Sequence, residues 1–310
     1  MLNILSKRYL FFTLSLLLII PGLVIIAMEG LPLSIDFKGG SIVEISLATA
    51  KAPGTDKIIG LYNSLGITDS QVQLSQSSEN TIFLIRSTTL DQDKYFQIIE
   101  SLKKNYDQGL VERRFDTVSP SISQSVTSRA MLAVAVAALA VIIYITFAFR
   151  GIPHAFRYGV CAIFAMLHDI LIVISLGAIG SKFFGWQMDS LYLTALLTVI
   201  GFSTQDKIVV FDRIRENSPI LRNIPFEKLV NHSIIQSLQR SINTQLMTVE
   251  FLLLSLALFG GVTLREFSII LLVGLFSGTY SSIFIAAPIL VVWENKEWKT
   301  WFRKSKPSQA

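Results

Sequence analysis

Charge is scarce in this 310-residue sequence: Asp, Glu, Lys and Arg together make up 16% of it, against roughly 25% in an average soluble chain. That is too little to clothe the surface of a chain that is 51% hydrophobic, which excludes an ordinary soluble globular protein. The same hydrophobic share excludes a disordered one. Cysteine occurs once, at Cys161 within an apolar run, so neither an internal disulfide nor a cysteine metal cluster can form. No nucleophile–base pair, phosphate-binding glycine loop, zinc-ligand spacing or dinucleotide fingerprint is found. No catalytic residue, cofactor or metal site is therefore expected, and the chain is not read as an enzyme.

What is present is a set of nearly charge-free stretches about twenty residues long, the length that a hydrocarbon core of about 30 Å requires. Six spans are expected, at 9–28, 131–149, 156–180, 191–210, 246–261 and 267–292. Lys7 and Arg8 give the first the look of a signal peptide. Its apolar stretch exceeds the usual ~7–15 residues and no A-x-A site follows, so an uncleaved signal anchor is expected. With the N-terminus inside, the inner segments carry fourteen Lys and Arg, whereas the two short outer loops carry only Lys182 and Arg265. Both termini are then cytoplasmic, and residues 29–128 lie on the outer side of the membrane. That block has a net charge of −3 and the rest of the chain +8. The basic surplus is a topology signal, and nucleic acid is not an expected partner.

Residues 29–128 read as an α+β domain. Strands are predicted at 41–48, 71–76, 81–86 and 111–118 from β-branched content and alternation. Helices are predicted at 55–65, with Thr55 as N-cap and Gly66 as stop, and at 91–104, with Tyr95, Phe96, Ile98, Ile99 and Leu102 on its buried side. The order βαββαβ is that of the ferredoxin-like split βαβ. The organisation expected is an anchor over 1–28, the outer domain over 29–128, a five-helix membrane region over 129–295 with a cytoplasmic loop at 211–241, and a basic tail over 296–310.

Several stretches carry a resemblance to a known family. Leu33-Ser34-Ile35-Asp36-Phe37-Lys38-Gly39-Gly40 resembles the D-F-x-G-G signature that follows the first span in the SecF branch of the RND-related SecD/SecF family, accessory subunits of the bacterial Sec protein-export machinery. Ala195-Leu196-Leu197-Thr198-Val199-Ile200-Gly201-Phe202-Ser203 is similar to its A-L-L-T-I-I-G-Y-S run, and Ile208-Val209-Val210-Phe211-Asp212-Arg213-Ile214-Arg215-Glu216-Asn217 continues the match. Phe259-Gly260-Gly261 and Gly278-Thr279-Tyr280-Ser281-Ser282-Ile283 resemble its last two spans. The chain departs from the family pattern where Gln205-Asp206-Lys207 replaces Asn-Asp-Thr and where Arg240-Ser241-Ile242-Asn243-Thr244-Gln245 replaces R-T-x-x-T-S. The resemblance implies six transmembrane helices forming an RND-type half. It also implies a role in export driven by the proton motive force, with the proton gradient as energy source and no cofactor. The partners it implies are a SecD-like subunit, the Sec translocon channel, the translocating polypeptide and membrane lipids.

A charged side chain at mid-bilayer costs from about 3 to over 10 kcal/mol, so each one there needs a partner, water or a function. The candidates are Asp169, Asp206, Lys207 and Glu250, with Arg240 approaching from the start of the fifth span. Asp206 retains the aspartate that the resemblance implies takes part in proton-coupled movement, and Arg240 is its expected movable cation. His168 and Asp169 match the family's H-D and form a secondary candidate pair, either passing protons or packing. Lys207 and Glu250 are expected to compensate each other, the alternative being that Lys207 snorkels while Glu250 stays protonated. Asp212, Arg213, Arg215 and Glu216 read as an interfacial cluster, and 225–239 as an amphipathic helix on the inner leaflet. The rival reading is an RND-type exporter of a lipid or small molecule. It would need a large second outer loop, and the loops at 181–190 and 262–266 are tiny. A purely structural membrane module leaves the intramembrane charges unexplained.

Overall fold

A computed structural model of the chain describes residues 3–48, 52–76, 80–106, 108–150, 155–245 and 251–301. These divide into two units. One comprises Met1–Met28, Val134–Ile179 and Thr194–Ala310, and the other Glu29–Ala133 and Gly180–Leu193.

The second unit is built on a four-stranded antiparallel sheet. After α1 (Arg8–Glu29) and the one-turn α2 (Ile35–Lys38) come β1 (Gly40–Ala48), α3 (Thr55–Ser64), β2 (Gln71–Gln76), β3 (Asn80–Ser87), α4 (Gln92–Asn105) and β4 (Val111–Val118). The strand order is β2-β3-β1-β4. Val43, Ile45 and Leu47 alternate along β1 and meet Phe83 and Ile85 of β3. Ile58 and Tyr62 of α3 and Ile98, Ile99 and Leu102 of α4 cover that face, because apolar side chains three and four residues apart share one side of a helix. Two expectations need correction. Phe96 is exposed, since at one residue from Tyr95 it points away from the stripe. Thr55 is the first helical residue rather than the cap, which is Gly54. Gly66, at φ 78°, ends the helix as expected.

The first unit is helical. Among the described residues, five helices are long and apolar enough to cross a membrane: Leu5–Glu29, Pro120–Ala148, Phe156–Phe184, Ser190–Ile220 and Leu264–Glu294. They contain α1, α5 (Pro120–Ala148), α6 (Ala155–Phe184) and α7 (Ser190–Ile220). The fifth joins α10 (Val262–Ser281) to α11 (Ala287–Glu294) through a π turn at Ser282–Ala286. Of the expected span at 246–261, residues 246–250 lie outside the described residues, and the remainder forms the nine-residue α9 (Phe251–Phe259). Leu14, Leu17 and Ile20 of α1 and Leu139, Ile143 and Phe147 of α5 stay exposed. Such side chains are a liability in water and are at home against hydrocarbon.

Within the connection expected at 211–241, α7 continues as helix to Ile220 and α8 (Phe226–Gln245) follows after a short break, where a helix is expected at 225–239. The apolar face of α8 is not free to lie on a leaflet. Leu229, Val230 and Ile234 are buried in one core with Leu5, Phe211, Ile214, Leu290 and Val291. At that end Arg8 pairs with Glu227 at 3.2 Å and Glu297 at 2.8 Å, and Arg157 with Glu294 at 2.6 Å. Burial opposes ionisation of Glu297, but hydrogen bonds from Tyr9, Asn295 and Arg8, with the Arg8 charge, outweigh it and hold the carboxyl below its ordinary range.

Candidate functional site

Two buried carboxylates lie within the helical unit, on neighbouring helices. Asp169 comes from α6 and Asp206 from α7, and each is under one-tenth exposed. Ser203, Asp206 and Lys207 share one face of α7 at helical spacing. Ser277 and Ser281 are four residues apart on α10, and Ser282 opens the π turn. Glycines bring α10 close to α7. A Cβ added at Gly274 would lie 2.3 Å from Val199 Cγ2, and one at Gly278 3.1 Å from Ser203 Cα. This is the close helix contact that small-residue runs provide in membranes.

Asp169 is the more heavily bound. Its Oδ2 accepts hydrogen bonds from Lys207 Nζ at 2.7 Å, Ser203 Oγ at 2.5 Å and Ser281 Oγ at 2.7 Å. Its Oδ1 accepts from Ser277 Oγ at 2.7 Å and meets His168 Nδ1 at 3.1 Å. Lys207 Nζ also donates to the Ser203 hydroxyl and to the Ser203 carbonyl at 3.3 Å. A buried ion pair is tolerable when its remaining donors and lone pairs are also satisfied, and this one meets that condition. His168 stacks on Tyr280 with 6.1 Å between ring centroids, and its Nε2 has no partner among the described residues.

Asp206 is held by hydroxyls alone. Ser241 Oγ of α8 donates to Oδ1 and Ser282 Oγ to Oδ2, each at 2.7 Å. Arg240 is exposed, and among the described residues no ion pair joins it to Asp206. Both residues line a cavity of about 50 Å³, together with Phe202, Gln205 and Ser241. The cluster thus contains two carboxyls and one ammonium. His168 lies against Asp169, and Arg240 lines the cavity at Asp206.

Among the residues expected from sequence, the structure brings Asp169, His168 and Lys207 together and sets Asp206 beside them with Arg240 at its cavity. Glu250 lies outside the described residues, so the expected Lys207–Glu250 pair does too, and the partner found for Lys207 is Asp169. The hydroxyls of Ser203, Ser241, Ser277, Ser281 and Ser282 had not been singled out as site residues. Ser277 and Ser281 carry a signal in their i, i+4 spacing on an apolar helix, and Ser203 in lying four residues before Lys207. Arg213 pairs with Glu216 and Arg215 with Asp212, both at 2.7 Å and exposed, as an interfacial cluster would.

The residues of the glycine signature occupy the other unit. Asp36 Oδ2 accepts the Ser190 backbone N–H at 2.8 Å and the Ser190 hydroxyl at 2.6 Å, while Asp189 Oδ1 accepts Tyr192 N–H at 2.8 Å. Two carboxylates therefore satisfy N–H groups that the start of α7 leaves open. Burial, with the nearby Asp36 charge, raises the Asp189 carboxyl above its ordinary range despite the Tyr192 bond. The Phe37 carbonyl accepts Thr127 Oγ1 at 3.0 Å. Gly39 and Gly40 follow at φ 81° and 130°.

A family profile described as "Protein export membrane protein SecD/SecF, C-terminal" matches residues 98–296, and one described as "SecD/SecF GG Motif" matches residues 24–51. The chain is 61% identical to the protein translocase subunit SecF of Anaerolinea thermophila, over the full length of both. It is 32% identical to the protein translocase subunit SecDF of Bacillus subtilis, matching with 95% of its own length and 38% of that protein's. Among solved structures it superposes on SecDF from Thermus thermophilus, described as a translocon-associated membrane protein, with a TM-score of 0.81 and 29% identity, covering 95% of this chain and 39% of that one.

Proposed function

The chain belongs to the SecF family, accessory subunits of the Sec protein translocase embedded in the bacterial membrane, and on that premise we propose that it couples proton movement to protein export at Asp206. The observation that carries the reading is a nearly buried carboxyl with two hydroxyl donors, no ion-paired cation among the described residues, and a small cavity shared with Arg240. Ionised, Asp206 leaves the cluster one negative charge in excess, and one proton neutralises it. A unit charge moved across 100 mV is worth about 2.3 kcal/mol, enough to bias a two-state helix bundle and too little to unfold it. Arg240, at the rim of the same cavity, is a cation that such a movement would bring toward or away from the ionised carboxylate.

The wider reading follows from the same premise. The sheet order β2-β3-β1-β4 with two βαβ halves supports a ferredoxin-like outer domain. The excess of Lys and Arg on one side of the spans supports cytoplasmic termini, with residues 29–128 outside. A sixth span is assigned to residues 246–261, and with it the helical unit becomes a single RND-type half. A SecD-like subunit supplies the other, a reading supported by relatives in which the matched region belongs to a longer SecDF chain. The translocon channel and the emerging polypeptide are the further partners. The rival, a lipid or small-molecule exporter, is disfavoured by relatives named SecF that match from end to end.

The test is export into inverted membrane vesicles with and without a proton gradient. Asp206→Asn keeps the size and hydrogen-bonding capacity of the side chain and removes its titration. It should leave insertion intact and abolish the gradient-stimulated component of export. Gradient-dependent export at the wild-type rate would falsify the assignment.

A further inference from the structure

We propose that Ser282 is a positioning residue that holds Asp206 in both of its protonation states, its hydroxyl hydrogen turning between the Asp206 carboxylate and the Thr279 carbonyl. This rests on Asp206 being the coupled carboxyl, as proposed above. A serine hydroxyl has one hydrogen to donate and lone pairs to accept with. Ser282 Oγ has two acceptors within reach, Asp206 Oδ2 at 2.7 Å and the Thr279 carbonyl oxygen at 2.8 Å. It cannot donate to both at full strength.

With Asp206 ionised, the hydrogen points at the carboxylate, because a bond to a charged acceptor is the stronger of the two. With a proton on Oδ2, the acid O–H donates to Ser282 Oγ, and the hydroxyl hydrogen turns to the Thr279 carbonyl. One proton is gained and no buried polar atom loses its partner in either state. Ser241 does the opposite job. Its Oγ donates to Oδ1 at 2.7 Å, with no second acceptor among the described residues, so it anchors the carboxyl while Ser282 adapts. Both serines are essentially inaccessible to bulk solvent. Ser282 also opens the π turn, a winding found mostly as a single turn at functional sites. Its neighbour Ser281 repeats the arrangement on the other carboxylate, with Asp169 Oδ2 at 2.7 Å and the Gly278 carbonyl at 3.1 Å. There the Lys207 ammonium also bonds Asp169 Oδ2, at 2.7 Å, a cation that Asp206 Oδ2 does not have among the described residues.

The charged groups around Asp206 among the described residues are Asp169 on α6, Lys207 on α7 and Arg240 on α8, with His168 against Asp169 and Tyr280 stacked on His168. None of them would reproduce the effect of exchanging one hydroxyl at Ser282. The experiment is infrared difference spectroscopy of the full chain in lipid vesicles, titrating the protonated-carboxyl band that Asp206→Asn removes. In Ser282→Ala the band should move to higher frequency, and its midpoint should shift alkaline by about one pH unit, a tenfold change in proton affinity. Ser282→Thr should restore both, and Ser282→Cys, with its weak donor, should fall between. An unshifted band and midpoint in Ser282→Ala, or in Ser282→Cys should the alanine variant not accumulate, overturns the role of Ser282 while leaving Asp206 in place. Absence of any band lost in Asp206→Asn overturns the reading beneath it, and this inference with it.

Discussion

Gly39 and Gly40 stand together, yet the structure makes them unequal. Gly39 closes α2 at φ 81° and ψ 165°, a region that in practice only glycine occupies. A Cβ there would meet Pro120 Cα, Ser123 Oγ and the Val118 carbonyl, each at 3.4 Å, which is no worse than a snug contact. Gly39→Ala should therefore cost the backbone strain alone, about 1–3 kcal/mol. Gly40, at φ 130°, carries similar strain, and a Cβ there would also lie 2.5 Å from the Ser87 carbonyl oxygen and 3.1 Å from Ile35 Cγ2. Ser87 is backbone of β3, held opposite Ser41 in the β1–β3 ladder, so it cannot rotate aside. Relief requires the ladder to open at its end, and overpacking of this kind adds about 1–3 kcal/mol. Gly40→Ala should thus cost about 2–6 kcal/mol in all, a large share of the ~5–15 kcal/mol that holds a domain. Amide hydrogen exchange of the full chain in detergent reads both variants. Protection along β1 and β3 should fall modestly in Gly39→Ala and collapse in Gly40→Ala. Equal losses, or the reverse order, would refute the reasoning from contact geometry.

Asp36→Ala should expose the Ser190 N–H and fray the first turn of α7, at a cost of about 0.5–2 kcal/mol, with Asp36→Asn milder because an amide oxygen still accepts. Faster exchange confined to the start of α7 checks it. Glu112 gives a pH prediction: hydrogen bonds from Lys103 and then Tyr95 hold its carboxyl below the ordinary range against the pull of burial. A carboxyl depressed in the folded state stabilises above its unfolded value, near ~4.3, and loses that contribution as pH falls through the lower folded value. The pair is over one-third exposed, so screening keeps the effect below about 1 kcal/mol. Acid unfolding curves of wild type and Glu112→Gln should converge below pH ~4, and a constant gap across the acid limb would count against the assignment.

How much could be read from the sequence depended on whether a signal was local. β2 and β4 came out at their observed limits because alternation is a property of consecutive residues. The helices ran longer than their apolar cores. Hydropathy stops at Val210, but backbone hydrogen bonding does not, and α7 carries Asp212, Arg213, Arg215 and Glu216 onward as helix to Ile220. The burial of α8 was illegible for a related reason. Leu229, Val230 and Ile234 suit a leaflet surface as well as a protein core, and only tertiary packing decides between them. At the site, Asp169, Asp206 and Lys207 were visible because charge in an apolar run is conspicuous. Their serine partners were not, because a serine in a membrane helix is ordinary until a carboxylate is placed opposite it.

Lys207 brings these strands together. In the family pattern that the sequence resembles, a hydroxyl residue occupies its place, and a buried ammonium must be compensated or it costs several kcal/mol. Depth in the membrane points to Glu250 as the compensating acid; the acid that meets the ammonium in the structure is Asp169, one helix away at 2.7 Å. The physical consequence of a closed pair follows with this partner too. Lys207 adjoins Asp206 in sequence and would otherwise be its nearest competing cation, but its ammonium is occupied by Asp169 and by the hydroxyl and carbonyl of Ser203. The departure from the pattern therefore isolates Asp206 instead of neutralising it. A proton changes the charge by one unit on either kind of carboxyl, but a nearby opposite charge favours the ionised form, so a paired carboxylate takes the proton less readily than one held by hydroxyls alone. A lysine one residue from Asp206 is thus compatible with the coupling proposed for that aspartate, because the Lys207 ammonium bonds Asp169 of α6 whereas Asp206 is held by Ser241 and Ser282.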